Sequence, residues 1–280
     1  MRDAVVRVFT WGSPARTGLT DDGRRVAVRG TTAKTVMRLR AGDFRPRRAG
    51  SPPLSGTGGN DQCMNKIVLM SDPKIAAIPV ADCGEPLVDV RLQESLVVDS
   101  RKADRSGAFA RLREGVLIRL LEAQKRLPDG VRLLFIEGYR PPALQRFYFE
   151  RYADSLRADN PGWSPIRVRE AASRYVSPPE IAPHSAGAAV DLTLISATER
   201  ELDMGTRVNA SPEESDGACY TDAAGVGSEA RANRRVLGDA LTAAGLVNYP
   251  TEWWHWSYGD RYWAFQADAD SARYGPRELR

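Results

Sequence analysis

Apolar positions along most of the chain recur in two rhythms. After Ser106, the residues Phe109, Leu112, Val116, Leu117, Leu120, Leu121 and Leu127 follow at three- and four-residue steps until Pro128-Asp129-Gly130, which predicts an amphipathic helix with a core face. Residues 131–137 form a β-branched and aromatic run ending at Gly138, the pattern of a buried strand. Pro141-Pro142 then opens a helix striped by Leu144, Phe147, Tyr148, Tyr152 and Leu156, and another helix is predicted over 164–175. A strand at 187–194 precedes a polar loop of roughly thirty residues, long enough to be functional or disordered. Residues 228–244 predict a helix with Ala232, Val236, Leu237 and Leu241 on one side and Gly245 as its stop. Residues 74–80, 87–91, 253–258 and 262–265 read as extended pieces. Helices and strands mix without regular βαβ alternation, so the expected class is α+β.

Upstream of residue 70 the texture changes. Residues 45–60 are rich in Arg, Pro, Gly and Ser and cannot bury enough apolar surface to offset their ordering entropy. The expected organisation is therefore an N-terminal extension over 1–69, dispensable for catalysis, and one domain over 70–280. Charge divides the same way: residues 1–60 hold twelve basic and four acidic side chains, a net +8. The remainder holds 28 basic and 32 acidic ones. The basicity of the chain thus belongs to its first segment, and the rest has the balance of an ordinary enzyme body. The segment has no aromatic interleaving, zinc-finger or recognition-helix pattern, so no nucleic-acid partner is expected; a basic anion-binding arm and a start at Met64 or Met70 are the alternatives. No apolar run reaches the ~18 residues of a membrane span, and no signal-peptide core follows Met1. A cytoplasmic location is expected. Cys63, Cys83 and Cys219 lack metal-binding spacing, and in a reducing compartment free thiols are the default, with a Cys83–Cys219 bridge the alternative.

The chemistry gathers around two histidines, His184 and His255. His184 precedes Asp191 by seven residues across a run of small side chains, and His255 follows Glu252 by three. Two imidazoles and a carboxylate make a three-ligand zinc set whose fourth position is open, and a nearby free carboxylate can then serve as general base. The same residues also fit a plainer assignment: Asp191 capping a strand end, Glu252 on the surface and the tryptophans in the core. Residues three apart face opposite ways in a regular strand, so Glu252 and His255 can share a site only if the backbone between them is irregular.

Four segments occur in order: Glu137-Gly138-Tyr139-Arg140-Pro141, the run Pro183-His184-Ser185-Ala186-Gly187-Ala188-Ala189-Val190-Asp191, Asp203-Met204-Gly205-Thr206, and Glu252-Trp253-Trp254-His255-Trp256. Together they resemble the VanX-type D-alanyl-D-alanine dipeptidases over residues 75–266. The resemblance implies a hydrolase of the fold shared with D,D-peptidases and the Hedgehog signalling domain, a small antiparallel sheet with helices packed on it. It implies one zinc ion on His184, Asp191 and His255, Glu252 as catalytic base and Arg140 as the oxyanion's partner. Tyr139, Ser185 and Asn209 are the implied substrate contacts, and the implied substrate is a small dipeptide from cell-wall metabolism. The sequence departs from the family where a serine and an acid commonly hold the dipeptide's ammonium: Ala182-Pro183 and Asn209 stand there. Asp203, Glu213, Glu214 and Asp216 are the acids that could compensate. A D,D-carboxypeptidase or peptidoglycan endopeptidase of the same fold, and a non-catalytic zinc-binding domain, are the competing outcomes.

Overall fold

The computed structural model describes residues 67–279. In chain order its elements are α1 (Pro73–Ala76), β1 (Leu87–Asp89), β2 (Val97–Val98), β3 (Arg111–Arg113), α2 (Glu114–Gln124), β4 (Val131–Glu137), α3 (Pro142–Asp159) and α4 (Pro165–Ala172). They continue with β5 (Ala189–Ser196), α5 (Ser228–Ala243), β6 (Val247–Asn248), β7 (His255–Ser257) and α6 (Arg261–Gln266). The main sheet has the order β2-β4-β5-β7-β6, antiparallel except for the parallel β2–β4 pair at one edge; β1 and β3 form a separate antiparallel pair. The α+β class expected from the sequence is the class observed.

Alternation decides what each face of the sheet does. Val190, Leu192 and Leu194 of β5, with Leu133 and Phe135 of β4 and Trp256 of β7, share one core cluster with Val116 and Leu120 of α2 and Leu237 and Leu241 of α5. Each such side chain contributes about 1.5–3 kcal/mol by leaving water. The intervening residues Asp191 and His255 therefore face the other way, and their register, Asp191 opposite His255, sets them side by side.

Three elements differ from the sequence expectation. The helix predicted from Ser106 begins at Glu114, because the Asp104 carboxylate accepts the N–H groups of Ser106, Ala108 and Phe109 at 2.8, 3.2 and 2.9 Å and Gly107 turns left-handed at φ 67°. Phe109 and Leu112 still reach the core, but from a 3-10 turn and from β3. Residues 262–265 are helical rather than extended, since Asp260 caps α6 by accepting from Tyr262 and Trp263 N–H. Asp72 and Pro73 start α1 in the same manner where an extended segment was expected.

Most of the expected extension, residues 1–66, lies outside the described residues, as does Cys63. Its last residues belong to the body: Val68 and Leu69 pack with Met70, Ile75, Ile181, Tyr249 and Tyr262, and Met70 N–H donates to Tyr249 Oη at 3.1 Å. The boundary expected at Met70 thus cuts into a cluster that Val68 and Leu69 share with the described domain. A chain beginning at Ile67 is expected to melt within a degree or two of the full chain, whereas one beginning at Ser71, which strips Val68, Leu69 and Met70 from this cluster, loses about 2–4 kcal/mol in denaturant unfolding. Cys83 is exposed and Cys219 buried, and both are free thiols.

Candidate metal centre and active site

Three strands deliver the site. A bulge in β4 sets Phe135 opposite Leu192 but Glu137 opposite Asp191, leaving Ile136 as the extra residue. Without that insertion Ile136 would face Asp191 and Glu137 would turn into the core. With it, Glu137, Asp191 and His255 line up across β4, β5 and β7 on one face.

His184 comes from a 3-10 turn, His184–Ala186, that is clamped to the chain leaving β4. His184 Nδ1 donates to the Gly138 carbonyl at 2.6 Å, Arg140 N–H donates to the His184 carbonyl at 3.1 Å, and Ser185 Oγ donates to the Arg140 carbonyl at 3.0 Å. Gly138 is required because a Cβ there would stand 2.4 Å from the Arg111 carbonyl oxygen. Gly187, closing the turn at φ 66°, has no room either: a Cβ would meet Leu87 at 2.2 Å. The Nδ1 bond fixes the His184 tautomer and leaves its Nε2 lone pair facing Asp191 and His255.

There the donors converge. His184 Nε2, His255 Nδ1 and Asp191 Oδ1 lie 3.2, 3.1 and 3.3 Å apart, all from buried residues. Metal–ligand bonds of about 2.0–2.1 Å at tetrahedral angles place neighbouring ligand atoms roughly 3.3 Å apart, so the triangle is the face of a tetrahedron of that size. Burial lowers the His255 pKa, keeping the imidazole neutral as a ligand must be. Burial works against the Asp191 charge, but His184 and His255 beside it hold its carboxyl below the usual range. The set fits a divalent cation of zinc type, three protein ligands leaving the fourth vertex of a tetrahedron for a further ligand.

Glu252 stands on a turn, not a strand. Its N–H donates to the Tyr249 carbonyl at 2.9 Å, His255 N–H donates back to the Glu252 carbonyl at 3.2 Å, and Asn248 Nδ2 donates to both the Glu252 and His255 carbonyls at 3.0 Å. This is the irregularity that lets residues three apart face one site. The Glu252 carboxyl accepts no hydrogen bond among the described residues. Burial, reinforced by the Asp191 charge and opposed by Arg140, raises its pKa well above the ordinary carboxyl value.

Arg140 is buried and forked onto Glu137: Nε and Nη2 donate to its two oxygens at 2.7 and 2.8 Å. Nη1 donates to Gln145 Oε1 at 2.8 Å, and Gln145 Nε2 to the Ser177 carbonyl at 2.7 Å. Burial opposes the Glu137 charge, yet the guanidinium holds its pKa down to about 2. One N–H on each of Nη1 and Nη2 remains for a ligand.

The other expected contacts separate. Tyr139 is fully buried, its hydroxyl donating to the Arg277 carbonyl at 2.7 Å, and Ser185 is fully buried in the clamp described above; both hydroxyls are engaged by backbone carbonyls. Asn209 is half-buried with φ 60°, and its carbonyl accepts from Tyr175 Oη at 3.0 Å. Tyr175 itself lies within the field of Glu252, Arg140 and Asp191. Of the possible compensating acids, Glu213 pairs with Arg174 at 2.9 Å and Glu214 with Arg207 at 2.5 Å, Asp203 accepts from Gly205 N–H, and Asp216 is exposed.

The sequence assigned no role to the supports of this centre. The Met204-Gly205-Thr206 segment braces it: Thr206 Oγ1 accepts from Trp253 Nε1 at 2.8 Å, next to Glu252. Arg234 of α5 pins the same loop by donating to the carbonyls of Met204, Ala218, Tyr220 and Thr221. Burial lowers its pKa to about 10, which leaves it charged at neutral pH. Arg234→Met is expected to cost about 3 kcal/mol by stranding those carbonyls, and limited proteolysis should then cut first within residues 203–227.

The family model described as D-ala-D-ala dipeptidase matches residues 109–270. A D-alanyl-D-alanine dipeptidase of Synechocystis sp. is 29% identical over 221 residues, 68% of this chain and 88% of that one. A Streptomyces coelicolor protein of the same description is 34% identical over 139 residues, covering 48% and 66%. Among solved structures, the LdcB LD-carboxypeptidase overlaps 66% of this chain and 75% of its own at 20% identity and TM-score 0.38. A VanY D,D-pentapeptidase in complex with Zn(II) overlaps 59% and 81% at 18% identity and TM-score 0.34.

Proposed function

The chain belongs to the D-Ala-D-Ala dipeptidase family and is a metallopeptidase, and from that premise we propose that it holds one zinc ion on His184, Asp191 and His255 and hydrolyses D-Ala-D-Ala or a related small dipeptide. The observation that carries this reading is the His184–Asp191–His255 triangle, with an unengaged carboxyl, Glu252, and a forked arginine, Arg140, beside it. Bound on these three residues, zinc would supply Lewis acidity to a scissile carbonyl and to an attacking water. Glu252, whose carboxyl accepts no hydrogen bond among the described residues, takes a proton from the attacking water and hands it to the leaving amine. Arg140 offers its two remaining N–H groups to the oxyanion of the tetrahedral intermediate, and Glu137 with Gln145 holds the guanidinium still while it does so. With Glu213 and Glu214 engaged by arginines and Asn209 in the place of the family's acid, Asp203 and Asp216 are the acids of that group left without an arginine for the ammonium end of the substrate.

The test is metal analysis combined with an assay of D-Ala release from the full chain. About one zinc per chain is expected, with activity abolished by a chelator and restored by zinc, and with His184→Ala losing both metal and turnover. Stoichiometric zinc without release from any dipeptide would instead favour the non-catalytic domain. Release only from longer peptidoglycan peptides would favour the carboxypeptidase.

A further inference from the structure

The loop after β2 carries a second cation to this cluster. Lys102 Nζ lies 3.4 Å from Glu137 Oε2 and 5.8 Å from the centre of the Tyr148 ring, on which the Arg140 guanidinium also rests at 5.2 Å. The Glu137 carboxylate is already taken by Arg140, which donates to both oxygens. Lys102 itself makes no hydrogen bond among the described residues, and its side chain is 28% exposed, at the rim of otherwise buried groups. Its neighbour Arg101 is committed elsewhere, to Asp99 and Glu201. Glu137 stands opposite Asp191 in the sheet, so the ammonium beside it lies on the face that carries the ligand triangle.

A long ammonium brought beside an ion pair that is complete without it loses side-chain freedom for little stabilisation. It has three donors and a full charge to offer a ligand, and the ligand it suits is an anion. A dipeptide carries one: the α-carboxylate of its second residue, adjacent to the scissile bond. With Arg140 assigned to the scissile oxygen in the function proposed above, that carboxylate is left to the other cation. We propose that Lys102 is the specificity residue that receives the free C-terminal carboxylate of the substrate, so that the enzyme selects peptides ending one residue beyond the bond it cuts. This inference rests on the dipeptidase reading and adds to it the group that enforces the free terminus.

The experiment compares D-Ala-D-Ala with its C-terminal amide, using the zinc-loaded full chain and its Lys102→Met and Lys102→Arg variants. The unaltered protein should favour the acid over the amide by about 10–100-fold in kcat/KM, the range expected of one charge-assisted contact. Lys102→Met should bring that ratio close to unity, chiefly through KM, and Lys102→Arg should keep most of it. Calorimetric titration of D-Ala-D-Ala into zinc-loaded Glu252→Gln protein should show the same loss of affinity when Lys102→Met is added. A preference for the acid that survives in Lys102→Met overturns the inference while leaving the dipeptidase reading intact. Acid and amide falling together through kcat also overturns it, placing Lys102 as a support of Glu137 and Arg140. If the unaltered protein cleaves no dipeptide and the Glu252→Gln protein binds none, the dipeptidase reading fails and this inference with it.

Discussion

Glu252→Gln should retain zinc in full and lose about 10²–10⁴-fold in kcat, with KM little altered. The substitution keeps the shape of a side chain that accepts no hydrogen bond, and the turn that presents it is held by backbone groups and Asn248, none of which it touches. The ligand triangle is therefore undisturbed while the proton carrier is gone. A second readout separates this role from a structural one. A carboxyl whose folded pKa is raised keeps its full contribution to stability below its unfolded pKa, near 4.5, and loses it as pH rises toward the folded value. In the presence of chelator the change in melting temperature from pH 5 to pH 8 should accordingly be less favourable in the unaltered protein than in Glu252→Gln, the His255 contribution of opposite sign being common to both. Near-normal turnover in the variant, or loss of its metal, would remove Glu252 from the role of base.

The sequence made the ligand set legible because its chemistry is local. His184 and Asp191 flank a run of small residues, and Glu252 and His255 sit three apart among aromatics, so the residue types alone suggest a metal and a base. It could not say how Glu252 and His255 reach one site, because the answer is a turn whose hydrogen bonds come partly from Asn248. Glu137 left a signal that was readable but unused: a carboxylate ending a run of buried apolar residues must find a partner, and Arg140 is three residues on. The bulge at Ile136 that turns Glu137 toward the site has no such signal, since nothing in the run 131–137 marks one residue as extra. Tyr139 and Ser185 show the opposite error. Both lie inside family motifs, which made them substrate contacts by association, whereas their hydroxyls are spent on Arg277 and Arg140 carbonyls that hold the motif in place. The helix expected from Ser106 failed for a related reason. Its apolar periodicity is real and core-directed, but Asp104 offers the backbone a turn that competes with the helix, and periodicity cannot register a side chain's hydrogen bonds.

Arg140→Lys is expected to cost about 10²–10³-fold in kcat although charge is conserved. The guanidinium makes three bonds at once, two to Glu137 and one to Gln145, and still presents two N–H groups in a fixed plane. An ammonium on a shorter reach has three donors in all; if it satisfies Glu137 it has little left to aim at the oxyanion, and if it moves to the oxyanion it abandons a buried carboxylate. Stability separates the two parts of the role. Arg140→Ala leaves Glu137 buried with only Lys102 nearby at 3.4 Å, which should destabilise by about 3–5 kcal/mol, whereas Arg140→Lys should lose much less because the charge remains. Adding Glu137→Gln to Arg140→Ala should recover part of the stability and none of the turnover. Thermal melting and kcat on D-Ala-D-Ala for the three variants measure this directly: recovery of both together would mean that Arg140 serves only to neutralise Glu137, and recovery of stability alone fixes its second task at the reacting oxygen.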